Sequence, residues 1–167
     1  MSIFVTVGNS KKNFSRLLNE IVKLRPLINE EIVVQHGHTL FKYEGFTTYS
    51  FLNEKDFLFH IKKSDLIITH GGVGTIISAH NFKKNMIIVP RQLKYKEHIN
   101  DHQMELAKYI ELSGIGIVVY EIENLKKLIT IKQKNSSSFV YSNSGKEYMI
   151  NLIMEKLEMI QKKVIKC

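Results

Sequence analysis

Short β-branched runs alternate with stretches of helical periodicity along most of this chain, and that alternation leaves few folds open to it. The first run, Ile3-Phe4-Val5-Thr6-Val7, is closed by Gly8-Asn9-Ser10, after which Phe14, Leu17, Leu18, Ile21 and Leu24 recur at helical spacing until Pro26. Further strands are expected at 31–35, 65–69, 86–90 and 116–120, with a weaker one at 46–52, and further helices at 54–62, 75–82, 99–112 and 123–129. Strands separated by helices pair in parallel through right-handed crossovers. The expected fold is therefore α/β, a Rossmann-like doubly wound parallel sheet. Ligands of such sheets lie at the carboxyl ends of the strands, where the loops at Gly8, Gly37, Gly71 and Arg91 would gather.

A length of 167 residues suits one domain with its own core. That domain is expected over residues 1–132, followed by a polar connection at 133–143 containing three consecutive serines and an amphipathic helix at 144–167. Met149, Ile150, Ile153, Leu157, Ile160 and Val164 share one stripe of that helix, suited either to packing on the domain or to docking a partner. No apolar run approaches the roughly 20 residues of a membrane span, and the opening residues lack the basic region of a signal peptide, so a cytoplasmic protein is expected. The single cysteine, Cys167, excludes an internal disulfide framework and any thiolate metal cluster.

The formal charge of +8 raises a nucleic-acid reading. Only three of the 24 basic residues are arginines (Arg16, Arg25, Arg91), and the lysines are dispersed along the chain, whereas base-edge and bidentate phosphate recognition favour arginine. The charge reads as a solvated lysine surface, and no nucleic-acid partner is expected.

The chemistry concentrates in His70-Gly71-Gly72-Val73-Gly74-Thr75, which follows an apolar strand and opens a helix. A glycine-rich bend there lets main-chain N–H groups approach an anion at the positive end of the helix, and Thr75 adds a hydroxyl. It is not a dinucleotide fingerprint, since Ile77 stands at the third glycine position, and the chain holds no Gly-Lys-Ser/Thr of a P-loop. The loop after the next strand carries Arg91, Glu97, His98, Asp101, His102 and Gln103. His36 with His38, and His98 with His102, have spacings compatible with metal ligation, but no third ligand accompanies either pair and no Asp-x-Asp is present, so no metal is expected.

These blocks, with Gln35-His36-Gly37-His38, Val89-Pro90-Arg91 and Glu97-His98 before Asp101-His102-Gln103-x-Glu105-Leu106-Ala107, give the chain a family resemblance. It resembles the soluble UDP-sugar-binding subunit of two-component glycosyltransferases, both the exopolysaccharide and capsule type and the eukaryotic subunit that builds dolichol-linked N-acetylglucosamine. These subunits are similar to the C-terminal half of GT-B enzymes of glycosyltransferase family 28. The resemblance implies a single GT-B C-terminal-type domain in which Gly8, His38, His70, Gly71, Gly72, Gly74, Thr75, Arg91, Glu97, His102 and Gln103 bind substrate. Residues 72–75 would hold the UDP diphosphate, and His102 and Gln103 the donor-sugar hydroxyls. The general base for the acceptor hydroxyl is expected from the partner subunit, with His98 as the assisting catalytic residue of this chain. Two positions depart from the family pattern: Asn9 replaces a threonine, and Ser78 stands where many relatives carry the glutamate that holds the ribose diol.

The implied function is that of a donor-binding hexosyltransferase subunit, inverting and dependent on a UDP-sugar without metal or other cofactor. It would act with a membrane-associated, acceptor-binding subunit that recruits it to the inner face of the membrane. The acceptor would be a lipid-linked saccharide in exopolysaccharide or capsule synthesis, and the transfer β-1,4-galactosyl. The alternative is a noncatalytic nucleotide-sensing or scaffold subunit that regulates a partner enzyme.

Overall fold

The computed structural model describes residues 2–99 and 102–134, together with residue 155. In chain order the elements are β1 (Ile3–Thr6), α1 (Ser15–Leu24), β2 (Ile32–Gln35), β3 (Thr47–Tyr49), α2 (Glu54–Lys63) and β4 (Leu66–Thr69). They continue with α3 (Val73–Asn81), β5 (Asn85–Ile88), α4 (His102–Ser113), β6 (Ile117–Val118) and α5 (Asn124–Lys134). All pairings are parallel, and the strands form one six-stranded sheet in the order β3-β2-β1-β4-β5-β6. This is the doubly wound arrangement expected from the alternation of elements.

Side chains leave each strand to alternate faces, and the sheet is covered on both. On one face Ile3, Val5, Ile32, Val34, Leu66 and Ile68 meet Leu17, Leu18 and Ile21 of α1 and Leu125 and Ile129 of α5. On the other, Phe4, Val33 and Ile67 meet Ile61 of α2, Ile76 and Ala79 of α3, and Ile110 of α4. Two buried faces explain why these strands read as unbroken apolar runs. Each fully buried residue of this kind stabilises the fold by about 1.5–3 kcal/mol.

The central runs end polar at a common register. Thr6 at the end of β1 is level with Gln35 of β2 on one side and Thr69 of β4 on the other, and all three are buried. Strand order diverges in both directions from the β1–β4 pair, so the crossovers separate there and leave a crevice at the carboxyl edge.

Local differences from the sequence expectation have local causes. Gly72 takes the extended cap conformation (φ −67, ψ 130), so α3 starts at Val73, two residues before the periodicity predicts. α4 starts at His102 instead of residue 99, because the preceding stretch holds a 3-10 turn at Leu93–Tyr95 that Lys96 closes at φ 58. β3 shortens to Thr47–Tyr49, all exposed, since an edge strand has one neighbour to order it. α5 runs on to Lys134, making Gln133 and Lys134 helical where the connection was to begin. The rest of that connection and the helix expected at 144–167 lie outside the described residues, apart from residue 155. Among the described residues no helix is long and apolar enough to cross a membrane.

Candidate functional site

A cleft of about 450 Å³ opens where the loops after β1 and β4 diverge. Its size falls within the range of small-molecule sites. One wall is the start of α3, where Gly72, Gly74 and Thr75 line the cleft and Ser78 follows one turn beyond Gly74 on the same face. No side chain caps α3, so the first-turn N–H groups carry the positive helix end into the cleft without a side-chain acceptor. The opposite wall comes from the segment entering α2, with Leu52, Phe57 and Leu58 as apolar surface and Glu54 as a carboxylate.

His70 forms the floor, held between two glycines. A Cβ on Gly8 would lie 2.4 Å from His70 Cε1, and one on Gly72 would lie 2.6 Å from His70 Nε2. Gly8 also sits at φ +70, a conformation that disfavours any side chain. Burial above all, helped by the nearby Arg91 charge and opposed by a hydrogen bond to the Thr6 backbone, pushes the His70 imidazole down to about 3. The ring is therefore neutral at physiological pH. Beside it, Thr6 Oγ1 donates to Gln35 Oε1 at 2.7 Å and accepts from Gly8 N at 3.3 Å, while Gln35 Nε2 donates to Asn9 Oδ1 at 3.5 Å. This network ties the polar strand ends to the loop above them.

The loop after β5 is organised by two arginines. Arg91 is 0% exposed, and its Nη1 donates to the carbonyls of Lys12, Asn13 and Glu97 while its Nη2 donates to that of Val7. Its guanidinium stacks 4.5 Å from the centre of the Phe14 ring. Burial lowers its pKa to about 10, which leaves it charged. Arg16 grips Glu97 with two of its three guanidinium nitrogens, Nε to Oε1 and Nη2 to Oε2, each at 2.9 Å, and Nη2 also reaches the Pro90 carbonyl. Glu97 Oε2 then accepts from Gln92 N at 3.1 Å. Together these bonds fasten the loop after β5 to the loop after β1.

Of the residues singled out in the sequence, Gly8, His70, Gly72, Gly74 and Thr75 come together as cleft lining. Gly71 is buried at φ +90, and a Cβ on it would meet Ile88 at 3.2 Å. Arg91 and Glu97 do not line the cleft, and their polar atoms bind the loops they join. Gln103 Oε1 accepts from Arg91 N at 3.0 Å, His38 is exposed against Phe51, and His98 is half-buried and close enough to act on His70 electrostatically. His102 opens α4. Sequence reasoning missed Arg16, whose partner is 81 positions away, and the cleft residues Thr6, Asn9, Gln35, Leu52, Glu54, Phe57 and Leu58. For Glu54 a signal existed: Asn53 is an N-cap, its side chain accepting from Asp56 N, which places the first turn of α2 at the carboxyl edge after β3.

The pattern of the glycosyltransferase family 28 C-terminal domain matches residues 2–160 of this chain. The chain belongs to that family. This glycosyltransferase domain is 30% identical over 123 residues to the UDP-N-acetylglucosamine transferase subunit ALG13 of Homo sapiens, a match covering 67% of the chain and 10% of that protein. In fold it is similar to the glycosyltransferase of kitacinnamycin (TM-score 0.65, 18% identity), with 96% of this chain and 42% of that one covered. The spinosyn forosaminyltransferase SpnP (TM-score 0.58, 14% identity) is covered to 39% by 95% of this chain. SnogD from Streptomyces nogalater (TM-score 0.52, 17% identity) is covered to 39% by 94% of it. The family 28 domain thus spans less than half the length of each protein it resembles here.

Proposed function

We propose that this chain is the donor-binding half of an inverting, UDP-sugar-dependent glycosyltransferase, completed by a membrane-associated partner that presents a lipid-linked saccharide. The observation that carries this reading is the cleft itself, with an uncapped helix start on one wall and an apolar surface on the other. A nucleoside diphosphate has matching parts: the diphosphate meets the N–H groups at residues 72–75, and the base lies against Leu52, Phe57 and Leu58. As the bond to the anomeric carbon breaks, negative charge grows on the departing diphosphate, and fixed main-chain dipoles stabilise it there. The partner supplies the acceptor hydroxyl, and a general base takes its proton. The partner is expected to supply that base, with His98, close enough to act on His70 electrostatically, assisting from this chain.

Support for a two-part enzyme comes from the similarity to a human protein named as a transferase subunit and from the share of larger glycosyltransferases that the chain spans. Galactose is the donor sugar to test first and exopolysaccharide or capsule the polymer, with Gln103 Nε2 and His102 as sugar contacts. Titration of UDP into the chain, followed by calorimetry, tests the reading. Binding is expected, and Gly74→Val, which fills the cleft beside the N–H donors, is expected to weaken it at least about tenfold. Wild-type protein that ignores UDP both alone and with its partner would overturn the proposal.

A further inference from the structure

We infer that the tip of the loop after β5 seats the domain on an anionic bilayer surface, with Leu93, Tyr95 and Ile99 entering the headgroup layer and the lysines around them meeting lipid phosphates; this deepens the reading above, and its test does not depend on nucleotide binding. Leu93 is 47% exposed, Tyr95 46% and Ile99 76%, three large apolar side chains on one short loop. Single exposed apolar residues are ordinary, but a group of them marks a surface that something covers. The loop is not free to fold them away. Arg91 and Arg16 fix its base through Glu97, Gln92 N donates to the Glu97 carboxylate, and Lys96 turns the chain at φ 58, so the tip stands on a rigid frame.

Charge selects the cover. Lys94 and Lys96 are exposed beside the apolar side chains, and Lys11 and Lys12 are exposed on the loop after β1, which Arg91 ties alongside through the Lys12 and Asn13 carbonyls. Among the described residues 8–13 and 89–99 the sole acid is Glu97, buried and engaged by Arg16. Glu121 reaches Lys94 at 3.4 Å from beyond β6, an exposed pair too weak to hold that lysine back. Other exposed apolar positions have acids beside them: Tyr43 is followed by exposed Glu44, and Leu112 is preceded by exposed Glu111. Lysine is depleted from protein–protein interfaces, because its ammonium is strongly hydrated. A bilayer surface suits it, since the stem lies along apolar surface, the head reaches lipid phosphate, and a tyrosine ring sits at headgroup level. Leu93-Lys94-Tyr95-Lys96 alternates these two needs. The loop leaves the same edge of the sheet as the cleft, so a domain seated this way brings its cleft side to the membrane, where the proposed lipid-linked acceptor lies.

Co-sedimentation of the full chain with vesicles tests the assignment, using phosphatidylcholine alone and an equal mixture with phosphatidylglycerol. Binding is expected to the mixed vesicles only, and to fall as salt is added. Lys94→Gln with Lys96→Gln is expected to weaken it at least about tenfold, and Leu93→Ser with Ile99→Ser by a similar factor. Lys126→Gln with Lys127→Gln, which removes the same charge from exposed positions of α5, should leave it nearly unchanged. Because the chain has no tryptophan, Leu93→Trp supplies a single reporter at the tip, and its emission is expected to shift to the blue on mixed vesicles. An equal loss from both lysine pairs overturns the inference, since net charge alone would then attract the chain. So does an unshifted Leu93→Trp emission, or wild type that ignores both kinds of vesicle. Tip variants that leave sedimentation unchanged but stop assembly with the partner polypeptide overturn it in favour of a protein interface. UDP binding without vesicle binding overturns this inference alone, whereas vesicle binding at the tip by a chain that ignores UDP, alone and with its partner, supports it and overturns the donor-binding reading.

Discussion

Two loops at the carboxyl edge look alike in sequence, polar stretches after apolar strands, yet they have opposite parts in the structure. In the loop after β4 the main chain turns its N–H groups toward the cleft, with Gly72, Gly74 and Thr75 lining it. In the loop after β5 the charged side chains turn inward, and Arg91 and Glu97 spend their hydrogen bonds on carbonyls and on Arg16. What separates them is whether polar groups already have partners. A site keeps donors and acceptors available, and a brace uses them up.

Breaking the brace is expected to have the largest effect. Glu97→Ala leaves the Arg16 guanidinium, whose side chain is 12% exposed, without its counter-charge, and removal of one partner of such a pair costs about 3–5 kcal/mol. Chemical denaturation would register it, and a loss below about 1 kcal/mol, typical of exposed ion pairs, would mean the loops are held by something else. Glycine substitutions on the cleft side come next. Gly72→Ala forces a methyl against His70 on ordinary backbone, an overpacking cost of about 1–3 kcal/mol. Gly8→Ala adds the left-handed backbone penalty at φ +70, about 1–2 kcal/mol more. Thermal unfolding of the pair separates contact from conformation, and equal losses would contradict the described turn.

The smallest effect at neutral pH belongs to His70. Its folded pKa of about 3 lies below the unfolded value of 6.5, so between them the unfolded chain binds the extra proton. Its contribution is complete above pH 6.5 and is lost as pH falls toward about 3. Burial lowers His60 and His80 as well, which adds to the same trend. Unfolding measured across that range should show stability rising with pH, and His70→Gln should flatten the slope; an unchanged slope would place the buried proton acceptor elsewhere.

Much of the fold was legible because its determinants are local. Ile3-Phe4-Val5-Thr6, Ile32-Val33-Val34-Gln35 and Leu66-Ile67-Ile68-Thr69 each carry three apolar residues and then a polar one, which is a buried strand reaching an edge. The glycine turn was legible for the same reason, since a helix start without a capping side chain shows in residues 70–75 themselves. The brace was not, because the Arg16–Glu97 pair joins positions whose meeting depends on the whole sheet order. Leu52 reads as the end of a weak strand and Glu54, Phe57 and Leu58 as part of an ordinary helix, and only the return of β4 beside β1 brings that segment opposite α3.

The absence of lysine and arginine from the cleft lining among the described residues has a consequence for how salt acts on the proposed ligand. An anion held by main-chain dipoles displaces few bound counterions, so a nucleotide bound as proposed above is expected to have a lifetime that varies little with ionic strength. The whole chain still carries a formal net charge of +8, and that long-range field draws anions in until electrolyte screens it. Added salt is therefore expected to slow the arrival of that ligand far more than it hastens its departure.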